Sequence, residues 1–63
     1  MEHLRSYLTD REMSAGDFAA DIGVHPSIVY RWLAGDAKPS IENALAIDRV
    51  TDGAVPVAAW GEA

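Results

Sequence analysis

The sequence predicts an all-α fold, four helices and a short fifth, on three observations. Apolar residues recur at intervals of three and four along the chain, and the alternation that marks strands is missing. The later apolar runs open at Ser14, Pro26 and Ser40 and close at Gly23, Gly35 and Gly53, residue types that start and stop helices. Sixty-three residues hold only one core, and no repeat or low-complexity segment divides them, so one domain over 1–63 is expected.

The first helix is predicted over about 2–12, where Leu4 and Leu8 give one apolar edge. Ser14 then caps the second helix, and Asp17 three residues on completes a capping box, with Met13 and Phe18 at the positions of a hydrophobic staple. Phe18, Ala19 and Ile22 form that helix's buried edge, and Gly23 ends it. His25 caps the third helix, Pro26–Ala34. Proline suits a first turn because its missing N–H would have no partner there anyway. Gly35 closes it. Ser40 caps the fourth helix, whose Ile41, Ala44, Leu45 and Ile47 are expected to face inward until Gly53 stops it. Val55-Pro56-Val57 leads into a last turn or two ending at Trp60-Gly61, within a short C-terminal segment at 54–63.

Composition narrows the chemistry. A core this small rarely supplies more than about 3–5 kcal/mol of net stability, so very regular helix packing or a partner is expected to stabilise the chain. Cysteine is absent, which removes disulfides, thiolate metal sites and thiol catalysis. His3 and His25 have no carboxylate pair at ligand spacing, so neither metal nor cofactor is expected. No nucleophile–base pair, glycine-rich phosphate loop or carboxylate dyad is readable, so no enzyme is expected. The longest apolar run, AVPVAAW, is far short of the roughly twenty residues a bilayer requires. MEHLRSYLTD lacks the pattern of a secretory leader, and a complete cytoplasmic product is the simplest expectation.

Charge sets a puzzle. Ten acidic residues against five basic ones give a formal charge of −5, which argues against indiscriminate binding to polyanions. Across 24–40, however, Arg31 and Lys38 stand against Asp36 alone. Charge acts within a Debye length of ~8 Å, so a small basic face can coexist with an acidic total.

Two short helices joined by a three-residue turn that opens on glycine have the spacing of a helix-turn-helix, here over about 14–35. Each position has a steric reason. Ala19 is small where the third helix crosses the second. Gly23 takes the positive φ that opens the turn, Val24 plugs the gap behind it, and Val29 and Trp32 supply the third helix's buried face. Ser27, Tyr30 and Arg31 then share the opposite face.

ADIGVHPSIVYRWLAGDAKPS resembles the core of phage Cro- and repressor-type helix-turn-helix regulators. The matching elements are Ala19, Gly23, Val24-His25, Ser27 to Val29, Trp32, Gly35 and Pro39, and NALAIDRVTDGAVPVAAW is similar to the tail of small Cro-like proteins. The resemblance spans about three-quarters of the chain, residues 13–60. It implies a compact lambda-repressor-like DNA-binding domain whose third helix enters the major groove of double-stranded DNA. On that resemblance Pro26, Ser27, Tyr30 and Arg31 meet the bases or the backbone beside them, while His25 and Lys38 are candidates for phosphate. Arg31 is the one side chain here able to grip guanine O6 and N7 bidentately.

The pattern also departs from that family. Ala15 stands where a polar, phosphate-gripping residue is frequent, and Ile28 offers only methyl contact on the third helix. Two or three phosphates neutralised per subunit give a slope of log K against log salt of about −4 to −5 for a dimer. Asp17 and Asp21 sit four apart on the second helix and repel DNA unless they face away from it.

Bland roles compete with each of these. Trp32 is read as core. His25, Ser14 and Ser40 are caps first, Lys38 suits the carbonyls that end the third helix, and Tyr30 can fold over its own helix. Trp60, with Val55 and Val57 beside it, either closes the core or forms a contact with a second copy or another protein. The expectation is a small sequence-specific regulator acting as a homodimer, with a second regulatory protein or polymerase subunit as a further partner. The rival is an acidic interaction adaptor that keeps the fold and binds little or no DNA alone, using Ile28, Tyr30 and Trp60 as its patch.

Overall fold

Phe18, Ala19, Val29, Trp32 and Ile47, from three different helices, meet at the centre of the molecule with almost no solvent exposure. A computed structural model describes residues 2–61 and orders them as α1 (Glu2–Arg11), α2 (Ala15–Ile22), α3 (Pro26–Ala34), α4 (Ile41–Val50) and α5 (Val57–Trp60). Among the described residues there is no strand, and the fold is the all-α, lambda-repressor-like arrangement that the sequence predicts. The closest packing is of α2 on α3. Helix α4 lies against α2, α5 against α4, and α1 leans on α3.

Local chemistry explains the boundaries. The Ser14 hydroxyl accepts the Asp17 N–H at 3.0 Å and the Asp17 carboxylate accepts the Ser14 N–H at 3.4 Å, a complete capping box for α2. Ser40 accepts the Asn43 N–H at 3.2 Å to open α4. Gly23 (φ 86°) and Gly35 (φ 82°) turn left-handed, and the N–H after each reaches back to a carbonyl five residues earlier, Ala19 and Arg31 respectively.

Two helix ends differ from the expectation. Helix α1 stops at Arg11 because Glu12 itself is left-handed (φ 54°), letting the Met13 N–H donate to the Leu8 carbonyl at 2.9 Å. Helix α4 stops at Val50, three residues before Gly53. There Asp52 turns left-handed (φ 54°), and the buried Thr51 hydroxyl donates to the Ile47 carbonyl at 2.7 Å while accepting the Val55 N–H at 3.1 Å. The Asp48 carboxylate accepts the first N–H of α5, from Val57, at 3.3 Å. Thr51, just past α4, thus closes its end, and Asp48 within it starts the next helix.

The inward face of α4 is a correction. Ala44 and Ile47 are buried as expected, but Ile41 is 64% exposed and Leu45 52%. Only one edge of α4 meets α2 and α5, and that edge is filled by the smaller, more central pair. Of the two roles open to Trp60 and its neighbours, Val55 and Trp60 take the core one: both are buried, with Trp60 edge-on to Trp32, while Val57 is half-buried.

Candidate nucleic acid interface

Helix α3 carries its two faces as the spacing requires. Val29 and Trp32 are buried, whereas Pro26, Ser27, Tyr30 and Arg31 are exposed, Tyr30 to 60%. The helix holds its place through buried contacts on α2 and through its ends. At the far end, Arg5 of α1 donates from Nη2 to the Leu33 carbonyl at 3.1 Å, placing a cation on the negative pole of the helix. At the near end, His25 caps: its Nδ1 accepts the Ser27 N–H at 3.1 Å and lies 2.9 Å from the Ser27 hydroxyl.

The five basic side chains do different work. Arg11 lies over the Tyr7 ring, 4.7 Å from its centroid, and Tyr7 meets Phe18 edge-on, so that guanidinium packs against α1's own aromatic. Arg5 is tied to Leu33 and lies 3.9 Å from Glu2. Arg31, Lys38 and Arg49 are exposed and make no ion pair among the described residues. Arg31 therefore stands outward on the same face as Ser27 and Tyr30.

Lys38 is exposed on the loop between α3 and α4, beside a shallow groove whose floor includes Pro39, Ile41 and Trp60. His25 is exposed at the start of α3. Ile28, expected on the exposed part of α3, is instead half-buried against the core, because it falls on the flank next to Val29 and Trp32. Ala15 is buried as well, so the first position of α2 contributes packing. Asp17 is exposed but held in the capping box, and Asp21 is exposed.

Sequence reasoning missed the Arg5–Leu33 bridge, which joins residues 28 positions apart, and it assigned Thr51 no role. Thr51 is the one buried polar residue among the described residues, and that burial shows only once the helices are packed.

A short helix crossed over another at a glycine elbow, its outer face bearing serine, tyrosine and an unpaired arginine, defines the helix-turn-helix class of DNA-binding regulators. The family model described as Helix-turn-helix matches residues 4–55, and the chain belongs to that family. No curated protein and no solved structure matches it. Among the described residues, no helix is long and apolar enough to cross a membrane.

Proposed function

We propose that this protein is a small sequence-specific transcriptional regulator of phage or mobile-element type, cytoplasmic and without catalytic chemistry. It reads the major groove with Pro26–Ala34. The observation that carries this is Arg31, exposed and free of ion pairs among the described residues, one turn from Ser27 and beside Tyr30. Its guanidinium faces a base edge with its donors unoccupied, the state that bidentate recognition of guanine requires. Tyr30 and Lys38 contact the backbone, and Pro26 and His25 flank the point of entry.

A second copy supplies the second half of the site. The longest dimension of the chain is 27 Å, whereas successive turns of the major groove lie about 34 Å apart, so one molecule cannot read both. Ile41 and Leu45, exposed one turn apart on α4, with Val57 lining the same groove as Ile41, provide apolar surface for the homodimer.

Arg31→Ala tests the assignment in a binding assay against DNA upstream of the protein's own gene. The expected loss is about 1–3 kcal/mol of discrimination at one G·C pair. Unchanged affinity together with unchanged base preference overturns it.

The adaptor reading loses Ile28 and Trp60 from its patch, since both pack on the core, and keeps Tyr30, which like Ile41 and Leu45 is large, apolar and exposed on a chain of net charge −5. A DNA column at low salt separates the two, because an adaptor flows through and a regulator is retained.

A further inference from the structure

The contact between His25 and Ser27 fixes more than a helix start. A backbone N–H can only donate, so the Ser27 N–H at 3.1 Å meets a lone pair on His25 Nδ1, and the neutral ring carries its proton on Nε2. The Ser27 hydroxyl lies 2.9 Å from that same unprotonated nitrogen. Two lone pairs facing each other at hydrogen-bond distance repel, so the hydroxyl turns its hydrogen toward Nδ1 and shares that nitrogen's one lone pair with the Ser27 N–H. What the exposed Ser27 oxygen then presents outward is lone pair alone.

We propose that His25 sets the polarity of Ser27, making it an obligate acceptor that selects adenine or cytosine at the base it meets. This rests on α3 being the helix that reads DNA. In the major groove, adenine N6 and cytosine N4 donate, while guanine O6 and N7 and thymine O4 accept. A serine with a free hydroxyl satisfies either kind of edge by rotating, and so discriminates little. With its hydrogen held by His25, the same serine favours an exocyclic amine and is repelled by a carbonyl. His25 acts here as a positioning residue and needs no base contact of its own.

The test uses the intact chain and a randomised duplex pool, followed by binding to single-base variants of the selected sequence. Wild type should select adenine or cytosine at one position, and Ser27→Ala should lose that preference by about two- to tenfold while keeping the guanine read by Arg31. His25→Asn should retain the preference, because its side-chain oxygen can cap the helix and accept from both Ser27 donors. His25→Ala should flatten that position alone. A histidine that served only as a cap would instead lower affinity for every sequence alike, with the base profile unchanged.

Nitrogen-15 NMR of the free protein checks the ring itself, where an unprotonated Nδ1 in the neutral imidazole is expected. A ring protonated at Nδ1, a preference for guanine or thymine, or a His25→Ala profile identical to wild type overturns the proposal while leaving α3 a DNA-reading helix. Absence of any sequence-selective binding overturns both.

Discussion

The indole of Trp32 meets that of Trp60 edge to face, with ring centroids 5.9 Å apart and planes inclined at 63°. Trp32 belongs to the helix proposed to read DNA, and Trp60 is the last residue of α5, so the final helical turn of the described chain holds that helix from behind. Trp60→Ala removes a core aromatic, a loss of about 3–5 kcal/mol. That equals the net stability of about 3–5 kcal/mol open to so small a core. Circular dichroism should show no cooperative melt for this variant. Trp60→Phe should be milder, since the Trp60 indole N–H is buried without an acceptor among the described residues and phenylalanine has no such donor.

Thr51 is the hinge between α4 and the tail. Replacing it with valine preserves shape but deprives the buried Val55 N–H of its acceptor, at 3.1 Å in the native protein. A cost of about 1–3 kcal/mol is expected in urea titrations. Thr51→Ser, which keeps the hydroxyl, should recover most of it. Equal stabilities for the valine and serine variants would remove the hydroxyl from this role.

At the elbow, Gly23 has φ of 86° and a Cβ added there would meet nothing within 4 Å. The cost of Gly23→Ala is therefore conformational strain alone, about 1–2 kcal/mol. Gly23→Asn should cost less, because asparagine tolerates the left-handed region. Urea midpoints that are equal for glycine and alanine would show that the elbow relaxes to another geometry.

Leu45→Glu separates the fold from the proposed dimer. Because Leu45 is already 52% exposed, the monomer's stability should change by no more than about 0.5 kcal/mol. Sedimentation should nevertheless move the mass toward a single chain, and affinity for a two-fold site should fall. A dimer unaffected by this charge would have its contact elsewhere than on α4.

Much of this was legible in the sequence for a physical reason: helix ends are local. Ser14 with Asp17, His25 with Pro26, Ser40, Gly23 and Gly35 each act within a few residues, and each marks a boundary that the structure has. Glu12 and Asp52 went unread because they take a glycine's conformation without being glycine. Helix α4 misled for another reason. Ile41, Ala44, Leu45 and Ile47 spread over more of the helix than one small core can cover, and only the neighbours decide which edge is left outside. The outward face of α3 followed from spacing alone. The direction of the Ser27 hydroxyl did not, because it depends on which nitrogen of His25 is bare.

Arg5 grips the Leu33 carbonyl and Arg11 lies flat on Tyr7, so two of the chain's five cations brace its own scaffold. For a groove reader this has a kinetic meaning. Few outward positive charges give a shallow hold on arbitrary duplex, hence brief stays at wrong addresses and little scanning along the contour. Such a molecule finds its site mainly by repeated collisions from solution, and few copies are sequestered along the way.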